Sequence, residues 1–122
     1  MKIAVLAIQE NNDFINRCDL FSDIVSAMAK EVNDLGLIIF PGGFFCGNRK
    51  KFINYLTNNF SGIATIIGWD EKAGDKNKHM NNGSREIWAV SKRGKIVATI
   101  PEAWIGSRKK DNKIYNEIIE RR

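Results

Sequence analysis

Three apolar runs of strand length, "KIAVLAIQ" from Lys2, "LIIF" from Leu37 and "GIATIIG" from Gly62, are separated by stretches whose apolar residues recur with a helical period. A strand that is apolar throughout, rather than at alternate positions, expects cover on both of its faces. The order strand, helix, strand, helix, strand then requires right-handed crossovers, which lay the strands parallel and pack the helices on the sheet. "KIAVLAIQ" is expected to be a central strand of that sheet.

The intervening segments supply the helices. Asp19 is placed to cap the first, with Asp23 in its opening turn and Leu20, Phe21, Ile24, Val25, Met28 and Val32 along one side. Asn33, Asp34 and Gly36 are expected to end it. Lys50 to Phe60 reads as a second helix, with Phe52, Ile53, Leu56 and Phe60 on its apolar side. Between that helix and "LIIF" lies "PGGFFCG", Pro41 to Gly47, the turn that follows the second strand.

After Gly68 the texture becomes polar: "WDEKAGDKNKHMNNGS" has the composition of a long surface loop. Two further strand-like runs, "EIWAVS" and "KIVATI", flank Lys92, Arg93 and Gly94, the signature of a tight hairpin. Asp111 to Arg122 carries Ile114, Tyr115, Ile118 and Ile119 at positions suited to one side of a short helix. The expected architecture is α/β in a single domain over residues 1–122: a mixed, mainly parallel sheet with flanking helices, and a basic helix or tail over 106–122.

Composition narrows the classes. With 122 residues the chain can bury about two thirds of the surface its unfolded form exposes, enough for a core without staples. Its two cysteines, Cys18 and Cys46, have neither metal-ligand spacing nor a CxxC arrangement, so reduced thiols are expected, with no metal or cofactor. The opening apolar run is too short to span a membrane and lacks the small-residue cleavage site of a signal peptide, which points to the cytoplasm and to no membrane partner. Lys and Arg number 19 against 14 for Asp and Glu, a formal +5. Clustered basic residues near the carboxyl terminus admit a nucleic-acid-binding adaptor, but without interleaved aromatics or a reading motif a solvated helix side is the expectation there.

Several residues are candidates for chemistry, each with a plainer alternative. Gly42 and Gly43 can form a turn whose amides face an anion or a carbonyl, or simply join a strand to a helix; no Gly-Lys-Ser or Gly-Lys-Thr follows to make a phosphate loop. Cys46 can serve as a nucleophile with His79 as base, or be a buried thiol. Asp70 and Glu71 fall where parallel sheets gather ligands, or within a solvated loop. Trp69, Trp88 and Trp104 offer a stacking surface, though Trp88 and Trp104 sit in or beside strands and suit a core or an interface better.

In order and spacing, "KIAVLAIQ", "LGLIIFPGGFF", "TIIGWDE" and "REIWAVSKRGKIVATIPEAW" resemble the first half of the nitrilase, or carbon-nitrogen hydrolase, superfamily, over about residues 2 to 105. The resemblance implies half of a four-layer α-β-β-α sandwich and, in active members, amide or nitrile hydrolysis by a cysteine, a glutamate base and a lysine. The thiol must lose its proton to a carboxylate, and a cation must stabilise the tetrahedral anion. Gly42 stands where the family places the glutamate and Glu102 where it places the lysine, while no cysteine follows Cys46. Arg85 stands where an asparagine often begins the family's hairpin strand, with Asn82 three residues earlier.

The expected function is accordingly a truncated, catalytically inactive nitrilase-like protein with a binding, regulatory or assembly role. Its second copy or a partner protein would cover the open sheet face, and a small amide or carboxylate could bind near Gly42, Gly43, Cys46, Asp70, Glu71 and Glu102. Three alternatives stay open: a hydrolase using other residues or completed by a second chain, the nucleic-acid adaptor, and a domain like the class I glutamine amidotransferases. The last share an opening strand and a strand ending in "PGG", but need a cysteine elbow where "TIIGWDEK" stands.

Overall fold

The computed structural model describes residues 1–7, 16–59, 61–71 and 84–101. Within them the chain is α/β: β1 (Lys2–Val5), α1 (Arg17–Glu31), β2 (Leu35–Ile39), β3 (Phe45–Cys46), α2 (Arg49–Asn58), β4 (Ala64–Asp70), β5 (Arg85–Val90) and β6 (Ile96–Pro101). The strands form one sheet in the order β1-β2-β4-β5-β6, with β3 attached to β4. β1, β2, β3 and β4 pair in parallel, whereas β4–β5 and β5–β6 pair antiparallel. The antiparallel ladders are the longer ones, so the sheet is mixed rather than mainly parallel.

β1 is an edge strand, not the central one that its continuous hydrophobicity suggests. Ala4 faces the helical side in register with Ile38, while Ile3 and Val5 lie on the other side, 53% and 72% exposed. Ala4 packs against the core, whereas the apolar side formed by Ile3 and Val5 is not covered among the described residues.

Asn16, not Asp19, caps α1: its Oδ1 accepts from the amides of Cys18 and Asp19 at 2.9 and 3.3 Å. The helix begins a turn early because Cys18 is itself a core residue, one turn before Phe21. It ends at Glu31, short of Gly36, which lies inside β2; the left-handed residue of the connection is Asp34, φ 59°. Asp34 also receives the Lys2 amide at 2.8 Å and the terminal ammonium at 3.1 Å, which fastens the start of β1 to the start of β2. α2 is capped by Asn48, whose Oδ1 accepts from the Lys51 amide. The expected Phe60 end, the segment 106–122 and the helix over 111–122 lie outside the described residues.

Both helices lie on one face of the sheet, as successive right-handed crossovers in one direction require. Phe21 of α1 packs against Phe40 and Phe45 at centroid separations of 5.0 and 5.8 Å. Phe52 of α2 stacks on Phe45 at 4.4 Å. Beneath them Trp88 and Trp69 stack at 5.9 Å, so Trp69 is a buried strand residue rather than part of a loop. Aromatic pairs of this kind contribute about 0.5–1.5 kcal/mol each beyond their buried area. The Tyr55 hydroxyl donates to the Cys18 carbonyl at 3.1 Å and ties α2 to α1.

The opposite face follows from strand register. One row runs Val5, Ile39, Ile66, Ala89 and Ala98 across all five strands of the main order. A row before it holds Ile3, Leu37 and Ala64, and a row after it Gly68, Ile87 and Ile100. These three rows contain no ionisable side chain, and both described helices are on the other side.

Candidate functional site

β2 and β3 lie end to end along one edge of β4, since β2 pairs with Ala64–Ile66 and β3 with Trp69–Asp70. The residues between them must leave the line of the strands. The Phe44 amide bonds the Pro41 carbonyl at 3.3 Å, Gly43 takes φ 67°, and the Gly42–Gly43 backbone steps onto the open face above Gly68. A Cβ at Gly68 would meet Gly42 Cα at 2.5 Å and the Gly43 nitrogen at 2.6 Å, so only glycine allows the turn to sit this close. Gly47, φ 100°, closes the turn: its amide donates to the Asp70 carbonyl at 3.0 Å and its carbonyl accepts from Trp69 Nε1 at 2.9 Å.

This geometry gathers most of the residues singled out in the sequence. Cys46 pairs laterally with Asp70, and Asp70 with Arg85, forming a fourth and polar row at the carboxyl edge of the parallel strands. The Cys46 thiol donates to the Gly43 carbonyl at 3.4 Å. Arg85 Nε lies 3.2 Å from an Asp70 carboxylate oxygen, with the Asp70 side chain mostly buried. Cys46 is half-buried rather than fully buried, and Asp70 belongs to β4 rather than to a loop. Glu71 stands apart from the row: its Oε2 accepts from the Ser84 amide at 3.1 Å and its own amide bonds the Ser84 carbonyl, which brackets the base of the segment 72–83. Glu102, His79 and Trp104 lie outside the described residues.

Arg85 and a neighbouring clamp were not identifiable as site groups from the sequence. On the helical side Arg49 makes a bidentate pair with Glu86, at 2.7 and 3.0 Å, and its guanidinium lies 6.0 and 5.7 Å from the rings of Trp69 and Trp88. The hydrogen bonds to Glu86 chiefly, outweighing desolvation, hold the Arg49 guanidinium above its ordinary range. Charged residues beside a hairpin give no sequence signal for such a partner 37 positions away.

Among the described residues Cys18 and Cys46 form no disulfide, no group of three His, Cys, Asp or Glu could hold a metal ion, and no helix is long and apolar enough to cross a membrane. No family model and no curated protein matches the chain.

Proposed function

We propose that the chain is a nitrilase-like α/β unit that works by association through its open sheet face rather than by hydrolysis. The observation that carries this reading is the set of three apolar rows, from Ile3 to Ile100, lying opposite both helices. Contiguous apolar surface of this kind marks an interaction site in a folded protein. The motif order from "KIAVLAIQ" to the hairpin supports the nitrilase likeness, in which the equivalent face is the inside of the sandwich. Gly42, at the place of the general base, is occupied in packing its backbone on Gly68.

A second reading, hydrolysis of a small amide or nitrile by residues other than the family's, is favoured by the row Cys46, Asp70 and Arg85: a thiol, a carboxylate and a cation on adjacent strands. In this arrangement the carboxylate is engaged by Arg85 and the thiol points to a carbonyl, which does not activate it. Ammonia release from short amides and nitriles decides between the two. The association reading expects no turnover above buffer, whereas turnover that disappears in Cys46→Ala establishes the hydrolase.

A further inference from the structure

We propose that the occupant of the open face is a second copy of this chain, packed sheet on sheet so that the pair forms a helix-sheet-sheet-helix stack. This rests on the association reading above and names its partner. The face spans roughly 20 Å across the strands and roughly 13 Å along them, from strand spacing and rise, with the Gly42–Gly43 turn seated over Gly68 at one end. Counting its upright side chains, it offers on the order of 600 Å² per copy, so two copies bury about 1,200 Å², the lower bound of a specific interface.

Three features favour a like partner. Two identical sheets share one twist, the condition for aligned face-to-face packing about 10 Å apart. The three rows hold no charge, so the apolar centre of a self-contact brings no like charges together in spite of the formal +5 of the chain, and the neighbouring Asp70 and Arg85 are paired with each other. The most exposed of their large side chains, Val5 and Ile100, stand on the two opposite edge strands, 72% and 58% exposed, so a two-fold contact reaches both margins.

Sedimentation equilibrium of the full chain, up to about 100 µM, tests this. The expected result is a particle of twice 13.8 kDa that dissociates on dilution. The double variant Val5→Lys/Ile100→Lys, both sites exposed and outside the core, is expected to weaken the dimer at least tenfold while its circular dichroism is unchanged. A dimer insensitive to this variant overturns the proposal, because its interface lies elsewhere. A monomer throughout also overturns it. If that monomer binds an apolar dye, and Val5→Lys/Ile100→Lys reduces the binding, the face awaits a different protein and the association reading stands. If it binds none, the face is covered by the chain's own residues and both fall.

Discussion

The backbone of Gly42 rests directly on Gly68, with a Cβ at Gly68 brought to 2.5 Å from Gly42 Cα. The neighbour is backbone, so it cannot rotate away as a side chain would. Gly68→Ala should lift the turn and destabilise the fold by about 2–3 kcal/mol, the upper range for overpacking. Gly36→Ala is the control: there the added methyl meets the flexible side chain of Met1, and the cost should be a fraction of that at Gly68. Urea unfolding midpoints of the two variants should differ in that order.

Thr65 is buried in β4 and its hydroxyl has no hydrogen-bond partner among the described residues. A buried, unpaired hydroxyl costs desolvation without return. Thr65→Val keeps the shape and removes that cost, so it should stabilise the fold by about 1 kcal/mol. A variant of lower denaturation midpoint would show that the hydroxyl is satisfied.

The Arg49–Glu86 pair joins the start of α2 to β5 and is partly exposed, with 42% of the Arg49 side chain open to solvent. Screening limits such a pair, so the coupling in an Arg49→Ala, Glu86→Ala double-mutant cycle should be about 0.5–1 kcal/mol and should shrink in high salt. Arg49→Lys should lose most of it, because an ammonium cannot reproduce the two-point contact. Coupling that is unchanged by salt would contradict an electrostatic origin.

Burial, reinforced by Asp19 and opposed by Lys51, pushes the Cys18 thiol above its ordinary value near 9. Burial likewise raises the Tyr55 hydroxyl above 10. The unfolded chain therefore gives up these protons first as pH rises. Their contribution is complete below about 9 and is lost as pH climbs from there through the higher folded values. Denaturant titrations at rising alkaline pH should show a steeper loss of stability in the wild type than in Cys18→Ala; parallel slopes would contradict the burial of the thiol.

The elements were legible where local signals agree. The hairpin is set by Gly94, which takes φ 79° between Ser91 and Lys95, and the helices by Phe21, Val25, Phe52 and Leu56, all buried. Less legible was whatever depends on distant pairing. β4 continues two residues past Gly68 because β3 and β5 flank it there, and glycine at that point permits the turn's approach instead of ending the strand. The edge position of β1 could not be read from an apolar run, since hydrophobicity reports what a face wants rather than what covers it. Gly42, Gly43, Cys46 and Asp70 each stand out in the sequence alone, but the row with Arg85 exists only through the register of three strands.

Ile39 and Ile66 lie at the middle of the open face. Isotope-filtered nuclear Overhauser measurements on a mixture of methyl-labelled and unlabelled chains address it most directly. Contacts from the Ile39 and Ile66 methyl groups to protons of another molecule are the predicted result. Methyl signals at these two residues with contacts only inside their own chain, at a concentration where the mass is that of a dimer, would contradict it.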